Sequence, residues 1–209
     1  MLQTSSERWQ SLWRQLGAST ASEELYHQLV ACYSEPHRKY HTVQHLNECL
    51  THLENVRALA VHPDEVGLAL WFHDAIYDTS KKDNEHRSAE WARDSVLAAG
   101  VSSEKAARIY QLIMATMHNA VPEGKDAEVL VDIDLGILGA AAARFDNYEV
   151  QVREEYSWVP ESLYRAARRK VLEHFVNREW IYSTDSFRSK YEARARENIA
   201  RSLARLRID

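Results

Sequence analysis

Apolar residues along this chain recur at spacings of three and four over long stretches, the period of a helix that turns one face to a core. The pattern predicts helices near 5–17, 21–33, 40–58, 64–77, 84–99, 103–118, 127–140, 142–157, 160–178 and 186–206. The interruptions carry residues that stop helices: Glu35-Pro36, His62-Pro63, Gly100, Val121-Pro122-Glu123-Gly124 and Val159-Pro160. The polar run from Thr79 to Asp83 reads as a loop, with Asp83 or Asn84 capping the helix that follows. Six glycines and four prolines leave little turn chemistry for a sheet. No shift of composition marks a linker, and no internal repeat is found. The expectation is one all-α domain over residues 1–209, a helical bundle with additional N- and C-terminal helices.

Composition adds a core and removes some partners. Hydrophobic residues make up 45% of the chain, with six Trp and ten Tyr, enough for one substantial core. The net charge is −5 and no long basic run stands out, so a nucleic-acid partner is not expected. Cys32 and Cys49 each fall inside an apolar helical pattern and read as buried free thiols. Two such residues build neither a disulfide framework nor a cysteine-based zinc site. The N-terminal stretch is amphipathic without a secretion-type apolar run, and nothing is long and apolar enough for a membrane span. A cytoplasmic location is expected, and oligomeric state is left open.

The informative residues are polar ones that land where the helical pattern asks for burial. A buried ionisable group must be paired or bound to a metal, because desolvation otherwise costs several kcal/mol or more. His45 continues the stripe Leu46, Cys49, Leu53 and Val56, and His41 lies one turn earlier on the same face. The stretch Gly67 to Tyr77 is apolar nearly all round, yet holds His73-Asp74 at its centre. In the segment from Val129 to Leu138, Asp134 falls on the apolar face of Leu130, Ile133, Ile137 and Leu138. Asp132 is about 200° away round the helix. The pattern selects Asp134 for the core and leaves Asp132 to cap or orient, though which of the two is the distal ligand stays open. His118 completes the stripe Tyr110, Ile113, Met114 and Met117, as a core residue or a functional one.

His45, His73, Asp74 and Asp134 together offer two imidazoles and two carboxylates, a set suited to Mn, Fe, Co, Ni or Zn, as one or two ions. These residues resemble the H…HD…D signature of the HD superfamily of metal-dependent phosphohydrolases. Tyr40-His41-Thr42-Val43-Gln44-His45 is similar to the Tyr-His-Asn-x-x-His motif of cyclic-nucleotide phosphodiesterases, with Thr42 in place of the usual Asn. The run Trp71 to Asp78, the segment Asp83 to Ala89, and the later segments Asp132 to Gly139 and Val152 to Tyr156 resemble a bacterial group of predicted HD phosphohydrolases. The resemblance implies an HD-type helical domain. It also implies that His45 binds metal while His41 protonates the leaving group.

The expected function is a metal-dependent phosphohydrolase acting on a phosphate ester or nucleotide-like small molecule through metal-activated water. Asp78 and Glu85, just beyond the His-Asp pair, could orient the water or help bind a second ion. Arg38, three residues before His41, is the expected phosphate contact, with His118 as a second substrate-binding candidate; Arg153 and Arg168 are further cations. Two other classes stay open: a di-iron oxygenase on the same scaffold, with His118 and Glu85 or His86 as added ligands, and a non-catalytic regulatory module that binds a nucleotide.

Overall fold

The computed structural model describes residues 4–19 and 21–206. They form an all-α structure of ten helices and two short 3-10 turns, with no strand among the described residues. The helices are α1 (Ser6–Leu16), α2 (Glu23–Cys32), α3 (Val43–Val56), α4 (Pro63–Phe72), α5 (Asn84–Ala98), α6 (Ser103–Ala115), α7 (Lys125–Asp134), α8 (Ala142–Glu155), α9 (Glu161–Val176) and α10 (Asp185–Arg205). Ser5, Ser22, Thr42, Ser102 and Thr184 cap five of them, each hydroxyl accepting a backbone N–H of the first turn. Two compact units result, one ending at Ile133 and the other beginning at Asp134.

The first unit is built around α4. Pro63 starts it, and every residue from Glu65 to Phe72 is buried. It packs against α1, α3, α5 and α6. At Gly67 an added Cβ would stand 3.3 Å from both Leu12 Cδ1 and Leu53 Cδ2, so the missing side chain is what lets α1 and α3 close on this helix. Glu65, 2% exposed, is balanced by Arg108 of α6, whose Nε and Nη2 donate to its two oxygens at 2.7 and 2.6 Å.

The periodicity carries α4 to residue 77, but the helix stops at Phe72. The helical bonds are diverted there: His73 Nδ1 takes Leu70 O at 2.8 Å, Asp74 N donates to the Tyr33 hydroxyl at 3.3 Å, and Ala75 N closes a tighter bond to Phe72 O at 2.9 Å. Arg38 Nη1 donates to Asp74 O at 2.6 Å and Nη2 to Ala75 O at 3.0 Å. Ser88 Oγ on α5 accepts from Ile76 N at 3.0 Å. The chain turns, with its backbone polar groups satisfied, and His73 and Asp74 stand at the helix terminus rather than mid-helix.

In the second unit, the 3-10 turn Leu135–Gly139 packs on α10. Asn198 Nδ2 donates to Leu138 O at 2.8 Å and Ala140 O at 2.9 Å, and Arg194 Nε donates to Gly139 O at 2.6 Å. Arg168 of α9 is paired with Glu149 of α8 and lies over the Tyr148 ring, its cation 5.0 Å from the ring centre.

Candidate metal centre

Two helix ends of the first unit supply donors. The Thr42 cap fixes the start of α3, which puts His45 in its first turn and Cys49 one turn later on the same face; both are buried. His73 follows the last residue of α4 and is 1% exposed. Asp134 is the last residue of α7, and the second unit begins with it. Within the first unit, one ligand atom from each of His45, Cys49 and His73 lies within 4.8 Å of the other two, so this cluster could hold a metal ion.

The protonation pattern decides how the histidines face that centre. His73 Nδ1 is 2.8 Å from Leu70 O, and a carbonyl can only accept, so Nδ1 carries the hydrogen. In the neutral ring Nε2 is then a lone pair. That nitrogen stands 3.0 Å from Asp74 Oδ2 and 3.1 Å from His45 Nε2, while His45 Nε2 is 3.4 Å from the same carboxylate oxygen. A lone pair and a carboxylate buried at such a distance repel unless a positive charge lies between them. Donors held about 2.0–2.2 Å from one ion stand about 3.0 Å apart on an octahedron and about 3.4 Å apart on a tetrahedron. The triangle of donors has those edges. The fit to a divalent ion is therefore good in donor type, spacing and tautomer.

Comparison with family models, with curated proteins and with solved structures gives no match.

Electrostatics agree with the geometry. When a proton rather than an ion fills the gap, burial pushes the Asp74 carboxyl up, but the charges of His73 and His41 and hydrogen bonds from His45 and His73 outweigh it, holding the group well below the usual carboxylate range. Tyr33 lies fully buried beside the pair, its hydroxyl accepting from Asp74 N at 3.3 Å. Burial is the main cause that pushes this phenol up to about 12, which keeps it neutral.

His41 is next to the centre but not in the donor cluster. It lies in the turn before α3 rather than on the helix, so it does not share a helical face with His45 as the spacing suggests. Its ring stacks on Tyr77 at 4.2 Å and meets His45 edge-on at 5.9 Å. Arg38 has a different place from the one expected of a phosphate contact. Its buried guanidinium donates to the carbonyls of His41, Asp74 and Ala75 and to Glu35 Oε2, and lies between the rings of Tyr33 and Tyr77. It ties the His41 turn to the His-Asp turn. Arg153 is likewise committed, to Glu161 and to the carbonyls of Tyr156 and Val159, and Arg168 to Glu149.

Asp78 turns its Oδ1 onto Ser80 N at 2.9 Å and Ser80 Oγ at 2.7 Å, shaping the loop between α4 and α5; these bonds hold its carboxyl below the ordinary range. Glu85 sits in the first turn of α5, and His86 pairs with Glu90 at 3.4 Å. His118 is past the end of α6, with φ 54°, a left-handed conformation that costs a non-glycine residue about 1–2 kcal/mol. None of these four joins the cluster of donors among the described residues.

The two aspartates of α7 divide differently from the helical-wheel reading. Asp132, expected to point away from the core, is fully buried, while Asp134 is only half-buried. Both faces of this helix are covered, so the wheel could not separate them. Asp134→Asn should strip bound metal with little change in the urea midpoint. Asp132→Asn should keep the metal and lose about 1–3 kcal/mol of stability, as for a buried polar group whose bonds are disturbed. Plasma emission for metal and urea melts check both, and the reverse ranking would move the ligand role to Asp132.

Proposed function

We propose that this chain is a metal-dependent hydrolase of the HD type, acting on a phosphate ester or a nucleotide-like small molecule. The observation that carries the reading is the triangle of His45 Nε2, His73 Nε2 and Asp74 Oδ2, two buried imidazoles and a half-buried carboxylate, with the His73 tautomer set by Leu70 O. A centre used only for structure has no need of a neighbouring imidazole outside the ligand cluster, and His41 is such a group. A bound divalent ion would lower the pKa of a coordinated water and polarise the bond under attack. The chain itself does the rest. His45, His73, Asp74 and Asp134 hold the ion, Leu70 O orients His73, and Arg38 sets the distance between the His41 turn and the centre. His41 holds the proton that the departing oxygen requires. One group of candidate ligands is found among the described residues, which fits one ion.

The test is a screen of nucleotides and phosphorylated metabolites with Mn, Co, Ni, Mg and Zn added separately. Turnover should appear with a transition ion, vanish with chelator, and return when the ion is restored. His73→Gln should lose ion and turnover together. A protein that holds stoichiometric metal yet hydrolyses no ester with any of the five ions would overturn the hydrolase reading and leave a binding module.

A further inference from the structure

A cavity of about 800 Å³ opens beside α6, wholly within the first unit. Its walls are one face of α6, the chain that joins α6 to α7, and Val61 and His62 ahead of α4. Sites for small organic molecules commonly enclose about 300–1,000 Å³. None of the four residues proposed as metal ligands lines it. The walls are mostly apolar and adaptable. The chain has three methionines, and both internal ones, Met114 and Met117, stand here. Thioethers are flexible and polarisable, so they fit irregular shapes and make favourable contacts with aromatic rings.

One polar group in the wall is fixed and oriented. Asp126 Oδ1 accepts from Val61 N at 2.6 Å and from His62 N at 3.1 Å, and its Oδ2 holds His62 Nδ1 at 2.8 Å. A carboxylate accepts, so Nδ1 carries the hydrogen and Nε2 of the neutral ring is a lone pair. The His62 side chain is 42% exposed, and among the described residues Nε2 has no protein partner. The charged groups are committed elsewhere or offset. Asp126 serves three N–H donors, and Arg108 gives Nε and Nη2 to the buried Glu65. Lys125 and Glu123, both exposed, carry opposite charges two residues apart. No surplus charge is left to bind an ion, whereas an acceptor beside an apolar wall suits a neutral hydroxyl. We propose that this cavity binds an uncharged molecule of the phenol class, its ring against Met114 and Met117 and its hydroxyl donating to His62 Nε2. The site is separate from the hydrolytic centre proposed above and stands or falls without it.

The experiment is a titration of the full chain, labelled with carbon-13 on its methionine methyl groups, with 4-propylphenol. Three methyl signals are available, and Met114→Leu and Met117→Leu assign them. The Met114 and Met117 signals should shift together and saturate, while that of Met1 stays in place. The ether 4-propylanisole, which keeps the ring and lacks the donor, should bind about 3–10-fold more weakly, the usual worth of one neutral hydrogen bond. That comparison uses wild type alone, so it needs no variant to fold. His62→Phe should bring the phenol down to the affinity of the ether and leave the ether unchanged. Unchanged ether binding reports that the cavity still forms. No methyl shift up to the solubility of the phenol would overturn the site. Equal binding of phenol and ether by wild type would overturn the role of His62 as acceptor. Tighter binding of 4-propylbenzoate than of the phenol would overturn the uncharged class and make this an anion site.

Discussion

His41→Ala should retain the metal and lower kcat on a ribose phosphate ester by about 10²–10⁴-fold, the usual worth of a positioned general acid. The ring meets His45 edge-on at 5.9 Å and is not among the four proposed ligands, so its loss removes no ligand. It is held in place by stacking on Tyr77 at 4.2 Å, and its backbone carbonyl is held by Arg38. The deficit should shrink for a nitrophenyl ester, whose departing anion is stable without a proton. It should stay large for an alkoxide leaving group. Misfolding would depress both substrates alike, so the contrast isolates proton donation. Equal losses on the two esters, or loss of metal in the variant, would remove His41 from the role of acid.

Arg38→Met should destabilise the protein by about 3–5 kcal/mol, because carbonyls left without a donor cost about 1–3 kcal/mol each, out of a typical total of about 5–15. Three backbone carbonyls, those of His41, Asp74 and Ala75, lose their donor at once. Glu35 contributes little to the loss, because its carboxylate is 43% exposed and water can replace the guanidinium there. Arg38→Lys should recover only part of the difference, since an ammonium offers its donors from one point and cannot span several carbonyls and a carboxylate. Metal affinity should fall in both variants, because the His-Asp turn is no longer tied to the His41 turn. Urea melts with metal titration check this, and a loss below about 1 kcal/mol in Arg38→Met would show that water fills the guanidinium's place.

Much of the fold is legible in the chain, and the failures have identifiable causes. Helix positions follow from apolar spacing, so the ten stretches read from the pattern correspond to the ten helices observed. The end of α4 is not legible, because it depends on Tyr33 and Ser88, which are distant in sequence from the amides they capture. For the same reason Arg38 reads as a free cation near a phosphate and is instead a clamp. His45 and His73 stand out as polar residues in apolar runs, and both are in the cluster. Cys49 does not stand out, because a cysteine in an apolar stripe looks like any small core residue. The one available signal is its spacing of four from His45. Asp132 is misplaced by the wheel because a helix covered on both faces has no outward side, and the buried Val129 to Ile133 run already contains that information.

The tryptophans fall unevenly across the two compact units. Trp9, Trp13 and Trp71 are buried and in edge-on contact in the first, with ring centres 5.3 and 4.9 Å apart, and Trp91 packs edge-on against Phe72. The second unit carries Trp158 and Trp180, 61% and 49% exposed. Indoles in a dry core emit at shorter wavelength than indoles in water. The blue edge of the emission spectrum therefore belongs to the unit that carries His45 and His73, and the red edge is dominated by the other. Two wavelengths followed through one denaturation curve thus read the two units separately, without any added label.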